Sequence, residues 1–204
     1  MIAVIDYGMG NLRSVQKALE EVGAKTLVTS KPADIKKCDK VVFPGVGAFG
    51  DAMKEVRRIG MDDAIQCAIE DGKAFLGLCL GLQLLFEKSE EAPGVNGLSV
   101  LKGEAKRFRF SDKSGLKVPH MGWNTIETVA GSGLFKGIPK DPYVYFVHSY
   151  YVKPKDGSVI LTTTDYGIEF ASGVRKDNIY GLQFHPEKSQ AAGLHILRNF
   201  IGLK

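Results

Sequence analysis

The sequence predicts an α/β fold: a central mixed, mostly parallel sheet flanked by helices, with antiparallel strands gathered in the second half. Three observations predict it. Short apolar runs alternate with helix-period segments through the first half of the chain. The runs at 41–43 and 74–78 are apolar without a break, as strands covered on both faces are. Past residue 97 the helical period disappears, and strand-like segments follow one another between Gly, Pro and Asp turns, a pattern of antiparallel pairing.

Taken in order, residues 2–5 read as a strand. Residues 12–22 read as an amphipathic helix, with Leu12, Val15, Leu19 and Val22 at helical spacing. Strands follow at 26–29 and 40–43, helices at 48–58 and 62–71, then a strand from 74 and a helix over 81–87. The second half reads as strands at 98–101, 105–110, 124–128, 143–152, 158–164, 170–174 and 179–183, closed by a helix near 190–201. No internal repeat, linker or low-complexity stretch interrupts this order, so residues 1–204 are expected to form a single domain.

Composition narrows the class. A 44% hydrophobic and 25% charged composition is that of an ordinary soluble globular chain. A net charge of +4 without a dense basic block does not call for nucleic acid. The run Lys106-Arg107-Phe108-Arg109-Phe110 interleaves charge with aromatics, and its alternation fits a half-buried strand with the phenylalanines inward. The three cysteines, at 38, 67 and 79, show no C-x-x-C spacing, which favours a reducing compartment over a disulfide framework or a zinc site. With no leader-like N-terminus and no apolar run of membrane-span length, a cytoplasmic location is expected.

The chemistry concentrates in three segments. In Phe75-Leu76-Gly77-Leu78-Cys79-Leu80-Gly81-Leu82-Gln83, an apolar strand ends in a cysteine set between two glycines, and a helix follows. This is a Gly-x-Cys-x-Gly version of the nucleophile elbow. Glycines on either side allow a turn too tight for a Cβ, and the helix N-terminus favours thiolate at Cys79. The second segment, Gly181-Leu182-Gln183-Phe184-His185-Pro186-Glu187-Lys188-Ser189, places His185 and Glu187 two residues apart. Pro186 holds His185 extended, so both side chains should leave on one side. Cys79, His185 and Glu187 then have the roles of nucleophile, base and orienter. In the third, Val41-Val42-Phe43-Pro44-Gly45-Val46-Gly47, a buried strand breaks into a glycine-rich loop. A backbone N–H from Gly45, Val46 or Gly47, with that of Leu80, would form an oxyanion hole. A plain strand–helix turn and a phosphate loop are the competing readings of this loop, the latter without the usual Gly-Lys-Ser/Thr. Asp6-Tyr7-Gly8-Met9-Gly10-Asn11 has Arg13 where a dinucleotide-binding turn has its third glycine.

Together Pro44-Gly45-Val46-Gly47, Gly77-Leu78-Cys79-Leu80-Gly81 and His185-Pro186-Glu187 resemble, in order, the motifs of class I glutamine amidotransferases, which release ammonia from glutamine. The resemblance spans essentially the whole chain and implies that family's three-layer fold, with no cofactor and no metal. Within the class, Asp6 to Leu12, Pro119-His120-Met121-Gly122-Trp123-Asn124, Val147-His148-Ser149-Tyr150-Tyr151 and His185 to Ser189 are similar to the glutaminase subunits of imidazole glycerol phosphate synthases. Those subunits pair with a (β/α)8-barrel cyclase as a heterodimer in histidine biosynthesis. The resemblance implies that Gln83, Ser149 and Tyr150 hold glutamine, and that Asn11, Met121, Trp123 and Lys188 face the cyclase. Trp123 as plain core and Lys188 as a solvated charge are the bland alternatives. His120 and His148, with no carboxylate or cysteine at ligand spacing, read as structural or interface residues. His195 reads as surface, and Cys67 as core. Another class I amidotransferase, a stand-alone cysteine hydrolase and a non-catalytic binding module are the other functions considered.

Overall fold

The computed structural model describes residues 1–128 and 132–203. Its first half follows the predicted alternation: β1 (Ile2–Ile5), α1 (Leu12–Glu21), β2 (Thr26–Thr29), α2 (Pro32–Ile35), β3 (Lys40–Gly45), α3 (Phe49–Arg58), α4 (Met61–Glu70), β4 (Ala74–Cys79) and α5 (Leu80–Leu84). The second half holds β5 (Phe86–Ser89), β6 (Leu101–Arg107), β7 (His120–Thr125), β8 (Glu127–Thr128), β9 (Tyr143–His148), β10 (Tyr150–Pro154), β11 (Ile160–Asp165), β12 (Glu169–Lys176) and β13 (Ile179–Leu182). A 3-10 turn, Pro186–Lys188, then leads into α6 (Gln190–Gly202). Eleven strands form one mixed sheet with the order β2-β1-β3-β4-β13-β12-β10-β6-β5, and β11 and β8 continue it from β12. From β2 to β13 neighbours run parallel, and beyond β13 they run antiparallel until the β6–β5 edge. β7 and β9 form a separate antiparallel pair.

Strand alternation builds two cores, one on each face of the sheet. Ala3, Ile5, Val41, Phe43 and Phe75 pack with residues of α3, α4 and α5 on one face. Ile2, Val4, Val42, Leu76 and Leu78 pack with α1, α6 and Phe146 of β9 on the other. This is why the parallel strands read as unbroken apolar runs. None of the helices among the described residues is long and apolar enough to cross a membrane.

Several boundaries differ from the sequence reading, each for a tertiary reason. The elbow helix was expected to reach residue 87 and stops at Leu84, because Phe86–Ser89 is drawn into β5 beside β6. Residues 98–100 are not strand: the N–H groups of Leu98 and Leu101 donate to the Leu84 and Leu85 carbonyls and cap the end of α5. The single strand expected over 143–152 divides at Ser149, with β9 pairing to β7 and β10 to β6 and β12. The strand expected over 124–128 divides at the fully buried Ile126. Four-residue α2 is too short to show a period. β6 ends at Arg107, but Phe108 is buried in an aromatic cluster while Arg107 and Arg109 are exposed. Cys67, read as core, is exposed on the outer side of α4, whose buried face is Met61, Ala64, Ile65 and Ala68.

Gly81 is the tightest contact in the described chain's elbow: a Cβ there would sit 1.9 Å from the Phe43 carbonyl oxygen. Gly81→Ala forces strand and helix apart, and overpacking of this kind should lower stability by at least about 2 kcal/mol despite alanine's better helix propensity. Urea unfolding monitored by circular dichroism measures the loss.

Candidate active site

Cys79 is the last residue of β4, flanked by β3, where it pairs with Gly45, and by β13. The chain must reverse there into α5, and Cys79 takes φ 53°, ψ −108°, a conformation costly for a residue with a side chain. The reversal closes because Gly77 and Gly81 touch backbone to backbone: a Cβ on Gly77 would lie 2.9 Å from the Gly81 carbonyl group. The sulfur is left at the carboxyl end of the parallel strands. Gln183 Nε2 lies 3.7 Å from it and the Val147 carbonyl 3.9 Å.

His185 and Glu187 are brought together by a turn rather than by an extended strand. His185 itself is extended, as a residue before proline should be, but Pro186–Lys188 winds into a 3-10 turn. The turn carries Glu187 Oε1 to 2.8 Å from His185 Nδ1, with both side chains at most 5% exposed. The expected pairing is thus present, and the expected backbone geometry is not. The Ser189 hydroxyl donates to the His185 carbonyl at 2.6 Å, and the His185 N–H donates to the Tyr145 carbonyl at 2.9 Å, which locks the turn. His185 Nε2 has no protein hydrogen-bond partner and lines the same cavity as Cys79. Burial works against a charged ring here, but the neighbouring Cys79 sulfur and the Glu187 carboxylate more than offset it, raising His185 to about 10.

The cavity, about 330 Å³, is lined by Val46, Gly47, Cys79, Leu80, Gln83, Glu91, Pro119, His148, Ser149, Tyr150 and His185, among others. Gly45 closes β3 under the ring of Tyr7, where a Cβ would meet the Tyr7 hydroxyl at 2.4 Å. That hydroxyl is buried without a partner, and burial followed by the charge of Cys79 pushes its ionisation up. Gly47 has φ 97°, which explains glycine at that position. Val46 between them is exposed. Ser149 and Tyr150 reach the cavity because the strand breaks between them and β9. Both N–H groups of the Gln83 amide are engaged, one by the Tyr150 carbonyl at 3.0 Å and one by Gln183 Oε1 at 3.2 Å. Only its carbonyl oxygen is left for a ligand.

Two residues of this site were not singled out from sequence. Among the described residues Glu91 is the one carboxylate on the cavity lining, and its Oε2 accepts from the Phe49 N–H at 2.8 Å. Nothing in the sequence links positions 49 and 91. Gln183, fully buried, was legible in principle: an uncharged polar residue inside the strand 179–183 needs a buried partner. Met121, Trp123 and Lys188 are exposed; Trp123, 45% accessible, is not core. Lys188 Nζ stands 5.7 Å from the ring centre of Tyr145, and that ring is 6.0 Å from Trp123, so the three form one patch with Met121 on β7. Asn11, also exposed, lines a small void shared with Gly45, His185 and Glu187. His120 and His148 are buried and hydrogen-bonded to each other, and among the described residues no group could hold a metal ion. His195 is half-buried.

A family profile described as "Glutamine amidotransferase class-I" matches residues 3–203. A protein of Moorella thermoacetica named "Imidazole glycerol phosphate synthase subunit HisH" is 51% identical over 199 residues, covering 98% of this chain and 93% of that one. A protein of the same name from Syntrophotalea carbinolica is 51% identical over 203 residues, covering 98% of both. A solved structure described as "Crystal structure of glutamine amidotransferase" superposes with a TM-score of 0.76 over 100% of both chains at 19% identity, which establishes likeness of fold.

The raised His185 carries a pH signature. A group whose ionisation is raised on folding stabilises the fold fully below its unfolded value, about 6.5, and that share is lost as pH climbs toward about 10. Glu187→Gln removes one of the two raising partners and should flatten the stability curve between those pH values in part, as read by urea unfolding.

Proposed function

The chain belongs to the class I glutamine amidotransferases, and we propose that it is the glutaminase subunit of an imidazole glycerol phosphate synthase. Residues 1–204 act as one amidotransferase domain in the cytoplasm. It hydrolyses glutamine to glutamate and ammonia and passes the ammonia to a (β/α)8-barrel cyclase, its partner in a heterodimer. The cyclase uses it to make imidazole glycerol phosphate and AICAR from PRFAR in histidine biosynthesis. The observation that carries the reading is the convergence of Cys79 and His185 on one cavity of amino-acid size, with Glu187 Oε1 2.8 Å from the far ring nitrogen of His185. Identity near 50% over almost the full length to proteins named as that subunit supports the choice within the family.

The chemistry is acyl transfer to sulfur. Cys79 thiolate attacks the side-chain carbonyl carbon of glutamine, and the carbonyl oxygen becomes an oxyanion held by the Leu80 N–H and an N–H of the Gly45–Val46–Gly47 loop. His185, charged and oriented by Glu187, gives its proton to the departing nitrogen, so ammonia leaves and a thioester remains. Neutral His185 then takes a proton from water, the hydroxide attacks the thioester, and glutamate and Cys79 are released. Glu91 offers the substrate's α-ammonium a carboxylate, and the Ser149–Tyr150 segment with the Gln83 carbonyl oxygen frames the rest of the amino acid. The patch of Met121, Trp123 and Lys188, with Asn11, is the docking face, placed so that the partner closes over the cavity mouth. A non-glycine at position 46 makes the loop a switch point, so the partner's state sets whether the oxyanion donors are aligned.

Cys79→Ala should abolish glutamine hydrolysis while leaving binding to the cyclase intact. Wild type should hydrolyse glutamine slowly alone and at least about tenfold faster with the cyclase carrying its nucleotide-like ligand. Equal rates in the two conditions would exclude the coupled reading, and a fully active partnerless protein would favour a stand-alone hydrolase. Glu91→Gln should raise KM for glutamine about tenfold or more, the value of one charged hydrogen bond, with a smaller change in kcat.

A further inference from the structure

A fully buried primary amide must satisfy two N–H groups and a carbonyl without water. In Gln183 one N–H is directed at the nucleophile itself: its Nε2 lies 3.7 Å from Cys79 Sγ, and its Oε1 accepts from Gln83 Nε2 at 3.2 Å. The other Gln83 N–H donates to the Tyr150 carbonyl at 3.0 Å, and the same carbonyl is 2.9 Å from His148 Nδ1. A carbonyl only accepts, so His148 carries its proton on Nδ1 and its Nε2 is an acceptor. The group 3.0 Å from that Nε2 is His120 Nδ1, which must therefore donate. His120 Nε2, left as an acceptor, faces the side-chain N–H of Asn124 at 3.4 Å, and Asn124 also donates to the Asp165 carbonyl at 2.8 Å.

Every link thus has one possible direction. Two donor series, Asn124–His120–His148 from β7 and Gln83 from α5, meet on the Tyr150 carbonyl, and Gln83 continues through Gln183 to the sulfur. The two rings cannot reorient freely. His120 lies stacked between Tyr166, with centroids 3.9 Å apart, and Phe146 at 4.7 Å. Burial holds both imidazoles neutral, His120 down to about 4 and His148 to about 3, as the tautomer assignment requires.

We propose that Gln183 is a further catalytic residue, donating a hydrogen bond to the Cys79 sulfur, and that His148 and His120 are positioning residues that hold this donor through the Tyr150 carbonyl and Gln83. A donor aimed at sulfur favours the thiolate and fixes its direction of attack. The same chain joins the nucleophile to β7, the strand that exposes Met121 and Trp123. The proposal rests on Cys79 as a nucleophile and not on which substrate it attacks.

The test reads the sulfur directly, so it stands apart from any glutaminase assay. Alkylation of Cys79 by iodoacetamide in the full chain is followed by mass spectrometry of the Cys79 peptide at neutral pH. Gln183→Met keeps length and removes the donor, and should slow alkylation about tenfold. His120→Phe keeps the stacking between Phe146 and Tyr166 but breaks the chain, and should slow it about threefold. In wild type, 15N resonances of His120 and His148 should both report protonation at Nδ1. Removing His120 should shift the His148 signals, a change that loss of packing alone does not produce. Wild-type alkylation rates in Gln183→Met, or a His148 protonated at Nε2 in the unmodified protein, would overturn the proposal. Because the tautomers are read without any substitution, a variant that fails to fold does not shield it.

Discussion

One backbone contact organises the site. Gly81 packs against the Phe43 carbonyl and Gly77 against Gly81, so β3, β4 and α5 approach more closely than any side chain would permit. That approach leaves Cys79 no room for an ordinary strand conformation and puts it at φ 53°. The strain is tolerated because the residue lies between two parallel strands, β3 and β13, in a sheet buried on both faces. The loop after β3 and the turn after β13 are consequently carried to the same edge as the sulfur. Gly45–Gly47 and His185–Glu187 are neighbours of Cys79 by sheet topology, not by chain proximity.

Around the sulfur the site is polar but largely closed to water, which sets what its groups can do. A buried imidazole alone would be neutral, as His120 and His148 are. His185 differs because a carboxylate sits 2.8 Å from Nδ1 and the nucleophile shares its cavity. The same fold therefore holds three buried histidines in two protonation states: burial keeps His120 and His148 neutral, and the Cys79 sulfur with the Glu187 carboxylate charges His185. His148 rests on a carbonyl and His185 on Glu187. Burial alone leaves His148 neutral even though the Tyr150 carbonyl favours its charged form, whereas at His185 the sulfur and the carboxylate together outweigh burial.

Fold and family are carried by independent observations. The fold is shared with a solved glutamine amidotransferase at only 19% identity. The narrower reading depends on surface and rim features that the fold does not dictate. Exposed Met121 and Trp123 on β7 and Lys188 beside Tyr145 make an apolar patch with a cation at its edge, and Met121 pairs with Val147, a residue of the cavity lining. Such a patch on one rim of a catalytic pocket suits a partner that covers the pocket.

By itself, the sequence determined the alternating first half, the elbow, and the pairing of histidine with glutamate. Each depends on local rules: apolar runs for buried strands, glycines where Cβ atoms cannot fit, and a proline that fixes the approach to a turn. It did not determine that residues 143–152 change sheets at Ser149, because no glycine or proline marks the break and the pairing partners decide it. The backbone of His185–Glu187 was read as extended and is a 3-10 turn, since two residues of spacing bring side chains together in either geometry. Glu91 and the partners of Gln183 were beyond reach for a related reason. Their roles come from contacts across 42 and 104 positions of chain. Which buried polar atoms meet is settled only when the sheet closes, because every unsatisfied donor must then find an acceptor within the fold.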